Sequence, residues 1–280
     1  MKKYKPTSPG RRGMTGISYK DVLTSTEPFK SLTKGVQRSV GRNSKGRITV
    51  RHKGGGAKRL YREVSFDYKQ ENIPARVVSV EYDPNRSSFI SLVVYKNGAR
   101  QYRLTPGGVK VGDEMVMSKS ARVKSGNALP LGLLPSGTRV YNIELQPGSG
   151  GKLARSAGDS AEIMSHEKGL TLVRLPSKEL RHILSAAWAT VGATTPEERR
   201  FVIYGKAGRS RRKGIRPTVR GSAMNPVDHP YGGGEGKAPQ GTRRPKNKWG
   251  KGVRGVKTRG KKKYSNMYIV SRRPKVKRKK

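Results

Sequence analysis

Apolar and polar positions alternate in short runs through the middle of the chain, whereas both ends show no sustained period of 2 or 3.6. Val77–Tyr82 and Phe89–Tyr95 are β-branched and aromatic runs, separated by Asp83-Pro84-Asn85-Arg86, a turn with proline at its second position. They predict an antiparallel pair. Lys96-Asn97-Gly98-Ala99 contains the Asn-Gly pair that predicts a type I′ hairpin, and Tyr102 and Leu104 then alternate with polar neighbours on a third strand. Gly107, Gly108 and Gly112 punctuate the next stretch, and Glu114–Met117 predicts a further short strand. Short strands at this spacing predict a small closed barrel.

A second set of strands follows Pro135-Ser136-Gly137: Arg139–Leu145, with Tyr141, Ile143 and Leu145 on one face, then Ala161–Ser165, Leu170–Leu175 and Leu180–Ile183. Turns at Glu167-Lys168-Gly169 and Ser177-Lys178 separate them. Asn127-Ala128-Leu129-Pro130 interrupts the pattern between the two sets and puts a boundary near residue 125. The expectation is a mainly β chain: a basic extension over 1–60, one barrel over 61–125, a second over 126–200 and a basic, glycine-rich extension over 201–280. Thr195-Pro196-Glu197-Glu198, with a hydroxyl N-cap, proline at the first helical position and glutamate at the third, predicts a capping box and a short helix.

Charge sharpens this division. The 280 residues hold 62 Lys+Arg against 18 Asp+Glu, a formal charge of +44. Residues 1–60 contribute 16 basic and 2 acidic side chains, residues 61–200 contribute 20 and 14, and residues 201–280 contribute 26 and 2. Ends so poor in apolar residues cannot offset their ordering entropy and are expected to stay disordered until a polyanion binds them. Nucleic acid is the partner with the densest negative charge. The absence of cysteine excludes disulfides and thiolate zinc sites, and four scattered histidines do not make a standard structural metal site. No cofactor is expected. The longest mostly apolar run, Ile183 to Ala193, falls short of a membrane span, and the basic N-terminus has no apolar segment after it, while Pro6 and Pro9 break any amphipathic helix. These features predict a cytoplasmic protein with no membrane partner and no small-molecule substrate.

Two segments concentrate candidate chemistry. Arg51 to Arg62, RHKGGGAKRLYR, sets Gly54-Gly55-Gly56 between basic clusters, with Tyr61 available to stack; glycines let backbone N–H groups approach phosphates that arginine and lysine neutralise. Arg216 to Gly236, RPTVRGSAMNPVDHPYGGGEG, is poor in apolar residues yet far from low in complexity. Asn225-Pro226 and Asp228-His229-Pro230 define turns, and Gly232-Gly233-Gly234 permits backbone conformations closed to other residues. Such a chain takes a definite path by using a partner's surface, and RNA is the expected surface. His229 follows Asp228, but adjacent side chains do not make a dyad and no nucleophile can be assigned by spacing. A turn histidine bonded to phosphate or ribose explains the same residues. His52 belongs with the RNA-contacting basic cluster, and His166 and His182 read as ordinary strand-edge or surface residues. Gly255 to Gly260 has phosphate-loop spacing, but Lys261 is followed by Lys262 rather than Ser or Thr and no apolar strand precedes it, so NTPase activity is not expected. The run from Lys261-Lys262-Lys263 through Arg272-Arg273 to Lys280 reads as a phosphate-neutralising tail.

RHKGGGAKRLYR, IPARVVSVEYDPNR from Ile73 to Arg86, GNALPL from Gly126 to Leu131, ARSAG from Ala154 to Gly158, GKAGR from Gly205 to Arg209 and RGSAMNPVDHPYGGGEG from Arg220 closely resemble, in this order over nearly the whole chain, the family of the second protein of the large ribosomal subunit, in its bacterial or organellar form. The resemblance implies an OB-fold barrel followed by an SH3-like barrel, with both extensions buried in large-subunit rRNA of the 23S type. It implies a structural, non-enzymatic role. The family binds rRNA as a primary binder, supports assembly of the peptidyl-transferase region, tRNA binding and subunit association, contacts small-subunit rRNA at an intersubunit bridge and meets neighbouring ribosomal proteins, with Mg2+ present only through the rRNA. The RNA-binding residues carried over are Arg51, His52, Lys53, Gly54, Gly55, Gly56, Lys58, Arg59 and Arg62 in the first segment. In the second they are Lys206, Arg209, Arg211, Arg212, Arg216 and Arg220, then Asn225, Asp228, His229, Tyr231, Gly232, Gly233 and Gly234. Tyr231 and Ala57 stand where the family usually has histidines, which removes any proton relay that needs both histidines of the tail. A general nucleic-acid packaging protein and a histidine-dependent acyl-transfer enzyme centred on His229 are the rival readings.

Overall fold

The computed structural model describes residues 1–36, 40–236 and 240–273. The C-terminal basic run beyond Arg273 therefore lies outside the described residues. The chain forms two compact units, one from residues 1–37, 58–206 and 265–280 and the other from residues 38–57 and 207–264. The first unit is mainly β and fits an OB-fold barrel followed by an SH3-like barrel.

Its N-terminal half is built on a four-stranded antiparallel sheet in the order Arg100–Leu104, Ile90–Tyr95, Ala75–Glu81, Glu114–Met115. Alternation is clearest at its start, where Ala75 and Val77 are buried while Arg76 and Val78 are exposed. A bulge between Val77 and Ser79 then shifts the register, and Ser79 to Glu81 are all buried. Val77, Val80, Phe89, Val93 and Met115 pack into one core, joined by Ile17 from the basic N-terminal stretch. The expected type I′ turn is not formed. Gly98 alone in that loop takes a positive φ, 81°, and its N–H donates to Tyr95 O at 2.8 Å, so the hairpin closes as a three-residue loop with a left-handed glycine.

The second half is a seven-stranded antiparallel sheet in the order Ile269–Ser271, Leu180–Leu184, Leu170–Arg174, Ala161–Glu167, Arg139–Tyr141, Trp188–Val191, Ala128–Pro130. Three expectations change here. Arg139–Leu145 is not one strand: Asn142 adopts a left-handed φ of 51°, and the chain passes into a separate ladder of Ile143–Glu144 with Gly151–Leu153. Asn127-Ala128-Leu129-Pro130 is not an interruption; Ala128–Pro130 is the edge strand, where a proline without an N–H is tolerated, and Leu129 lies in the core opposite Ala189. Its neighbour Trp188–Val191 escapes the pattern because Ala187 and Ala189 fill the interior with side chains too small to signal alternation. The helix after Thr195 is a 3-10 turn, Glu197–Phe201, without the capping box, because the Thr195 hydroxyl donates to Thr105 O at 3.1 Å instead.

Several buried polar groups in this unit are satisfied by short local networks. Glu81 accepts from Tyr102 Oη at 2.6 Å and Ser79 Oγ at 2.8 Å, and Tyr102 Oη accepts from Phe29 N at 2.7 Å. Glu144 accepts three backbone N–H bonds, from Gly148 at 3.3 Å, Gly150 at 2.9 Å and Trp188 at 3.1 Å, and so ties the small ladder to the large sheet. Tyr68 donates to Asn142 O at 2.5 Å. His166 also has a structural place, with its ring nitrogens on Thr171 Oγ1 at 3.0 Å and Leu134 O at 2.8 Å.

Replacing Tyr102 with Phe orphans a buried carboxylate oxygen and a backbone N–H, and is expected to lower the unfolding free energy by about 1–3 kcal/mol in denaturant titration. A second expectation concerns alkali. Desolvation raises the folded-state pKa of Tyr68, Tyr102 and Tyr141 above the ordinary value, helped at Tyr102 by its bond to Glu81. The stability they contribute is complete below about pH 10, where unfolded tyrosine begins to ionise, and is lost as pH rises towards the folded values. Ultraviolet titration is therefore expected to show these three ionising only as the first unit unfolds.

Candidate nucleic-acid interface

The second unit holds 24 basic and 2 acidic side chains, and none of its described apolar side chains is buried. Backbone hydrogen bonds between its two chain segments hold it instead. Lys53 and Ile215 form an antiparallel bridge, Gly54 N donates to Gly214 O at 3.0 Å, Ala57 N to Arg212 O at 2.8 Å, and Arg216 N to His52 O at 2.9 Å. This pairing brings Arg51, His52, Lys53 and the glycine triplet to Arg211, Arg212 and Arg216, residues some 160 positions apart in the chain. Arg209, Arg211 and Arg212 come from a short helix, Ala207–Arg212, none of whose residues is buried.

The glycines have a different first duty from the one their spacing suggests. Gly54, Gly55 and Gly56 all have positive φ (152°, 61° and 91°). A Cβ on Gly56 would sit 2.9 Å from Arg212 O and from Gly214 N, so this glycine is what lets the segments approach. The N–H groups of Gly54 and Ala57 are spent on the pairing. Gly55 has open space around it and is the triplet member exposed to a ligand.

The 220–236 segment forms a closed loop. Asp228 N donates to Asn225 O at 3.0 Å, Gly232 N to His229 O at 2.8 Å, and Gly233 N to Met224 O at 3.1 Å. Gly233 and Gly234 have positive φ, whereas Gly232 is required because a Cβ there would strike the Asn225 carbonyl. His229 Nδ1 accepts the Tyr231 N–H at 3.1 Å, and the two rings lie 4.9 Å apart. A neutral imidazole that accepts at Nδ1 holds its proton at Nε2, so His229 offers a donor suited to a phosphate or ribose oxygen. Tyr231 Oη bonds Thr242 Oγ1 at 3.1 Å and accepts from Lys246 N, which ties the loop to the following stretch. Arg220, Asn225 and Asp228 are exposed around it.

Lys58, Arg59, Arg62 and Lys206 belong to the first unit. Lys58 and Lys206 are exposed, and Arg59 donates to Pro84 O at 3.1 Å. Arg62 is buried on a short strand, Leu60–Arg62, with Nη1 on Leu60 O at 3.0 Å, a position from which it reaches no solvent ligand without turning out. Trp249 was missed by the sequence reading. Its signal is Asn247-Lys248-Trp249-Gly250, a turn signature around an aromatic residue.

Two family models match the chain: the model described as Ribosomal Proteins L2, RNA binding N-terminal domain, over residues 29–118, and the model described as Ribosomal Proteins L2, C-terminal domain, over residues 124–250. The chain belongs to the ribosomal protein L2 family. It is thus a structural, RNA-binding protein of the large ribosomal subunit and not an enzyme. The L2 RNA-binding match includes the glycine triplet, and the C-terminal match includes residues 212–216 and the Asn225–Gly234 loop, so each contributes one segment of the pairing in the second unit.

Gly56→Ala introduces both a strained φ and a backbone clash, a cost of about 1–3 kcal/mol. It is expected to weaken RNA binding by roughly ten-fold, while thermal unfolding of the first unit is unchanged. Filter binding and calorimetry check this.

Proposed function

We propose that this L2-family protein is a primary binder of 23S-type rRNA whose second unit enters crevices between rRNA helices. There it supports assembly of the peptidyl-transferase region, tRNA binding and subunit association, the last through small-subunit rRNA at an intersubunit bridge. The observation that supports the reading is a unit of 24 basic and 2 acidic side chains with a definite backbone path and no apolar core among its described residues. Arg51, Lys53, Arg209, Arg211, Arg212, Arg216 and Arg220 neutralise phosphates, with Lys58, Arg59 and Lys206 added from the first unit. Gly55, Gly234, Asn225 and the Nε2–H of His229 make the close polar contacts. Arg62 is left out, because burial withholds it. The barrels over 61–125 and 126–200 give placement, and Mg2+ enters only with the RNA. The site of action is the ribosome of the cytoplasm or of an organelle.

Binding to the cognate large-subunit rRNA domain, in competition with equal-length unrelated RNA and duplex DNA, tests this. If about 6–10 phosphates are neutralised, log affinity is expected to fall against log salt with a slope of roughly −5 to −9, with clear preference for the cognate RNA. A slope near that of one or two contacts, or equal affinity for every polyanion, overturns the reading in favour of a general packaging role.

A further inference from the structure

Backbone pairing and charge leave Trp249 unexplained. The chain has two tryptophans, and the other, Trp188, is half-buried in the first unit and stacked on Tyr68 with ring centroids 5.9 Å apart. Trp249 is 65% exposed. An indole gains more than almost any other side chain from leaving water, so a free one on a structured turn marks a surface that something else covers. The turn is well built. Lys246 and Gly252 pair across an antiparallel bridge, Asn247 N donates to Lys251 O at 2.9 Å, and Asn247 Oδ1 accepts from both Trp249 N and Lys251 N at 3.0 Å. Gly250, with φ 75°, completes the reversal and donates to Asn247 O at 2.9 Å. Two cations sit over the ring: the Arg51 guanidinium lies 5.5 Å from its centroid and Lys248 Nζ 4.8 Å.

An indole 65% exposed with two positive charges over its ring suits a nucleobase with phosphates beside it, the cations moving from the ring to the phosphates as the base stacks. Bases inside a duplex are already stacked on one another, so the base must be an unpaired one, in a loop, a bulge or a junction. We propose that Trp249 is a stacking platform for a single unpaired base of the bound rRNA, with Arg51 and Lys248 neutralising its flanking phosphates. This rests on the ribosomal reading and adds to it a residue and a kind of nucleotide.

The test uses the full chain, the cognate large-subunit rRNA domain and a perfect RNA duplex of equal length, with Trp249→Phe supplying the emission background of Trp188. Stacking is expected to quench the Trp249 emission with the cognate RNA and not with the duplex at the same salt. Trp249→Ala is expected to weaken cognate binding by roughly 5- to 150-fold, the range measured for base–aromatic stacking, with an unchanged salt slope, and Trp249→Phe to restore most of it. Arg51→Ala is expected to keep the quenching and to lower the salt slope by about one. Unchanged affinity in Trp249→Ala, or equal quenching by the duplex, overturns the proposal. So does loss of quenching in Arg51→Ala together with an affinity loss equal to that of Trp249→Ala, which would make the contact an internal brace. Equal affinity of the unaltered chain for cognate and unrelated RNA would overturn the ribosomal reading itself, and is distinct from all of these.

Discussion

Like-charge repulsion within residues 38–57 and 207–264 is the constraint on which the rest of this protein depends. Twenty-four cations and two anions share a unit with no buried apolar side chain among its described residues, so the hydrophobic term that folds ordinary domains is missing there. What remains is directional: backbone hydrogen bonds, turns and glycines that permit close approach. These specify a path but supply little net free energy in water, about 0.5–1.5 kcal/mol per bond. A polyanion supplies the missing term by neutralising the repulsion, and the same contacts that hold the unit together then select the shape that it fits.

The first unit shows the complementary solution. It has all of the buried apolar side chains among the described residues, and 16 of the 18 acidic residues. Its chain is left twice for the second unit, between residues 37 and 58 and between residues 206 and 265, and is resumed each time in a short strand or turn. The last return, Ile269–Ser271, adds to the free edge of Leu180–Leu184 and covers ladder groups that would otherwise be exposed. Glu144, which gathers three N–H groups from two sheet segments, does by hydrogen bonding what a core residue does by packing.

How much of this was readable from sequence follows from which interactions involve side-chain pattern. The strands at Ala75–Glu81, Ile90–Tyr95 and Leu170–Arg174 were legible because β-branched and other apolar residues are concentrated in short runs there. Trp188–Val191 and Ala128–Pro130 were not, since alanine and proline give no periodic signal although both strands are in the sheet. The two basic segments stand out in the sequence by charge and glycine alone. That they pair was not, because backbone-to-backbone bonds such as Ala57 N to Arg212 O leave no mark on side-chain identity beyond the glycines that permit them. Arg62 shows the converse error: a basic residue in a basic run, turned inward by the strand it sits on.

Tyr231 shows how shape and charge divide the work. Its phenol bonds Thr242 and accepts from Lys246 N, closing the loop from within. His229, its ring tilted 46° to that of Tyr231, has its Nδ1 held by the Tyr231 backbone and its Nε2 left as the donor. The loop's geometry is thus set by backbone, imidazole and phenol hydrogen bonds rather than by its cationic side chains. A segment arranged in this way keeps its outline when salt weakens every charge contact. Charge contacts weaken with salt while the closed loops and the glycine approach at Gly56 do not, so the unit's charge and its shape answer to different conditions.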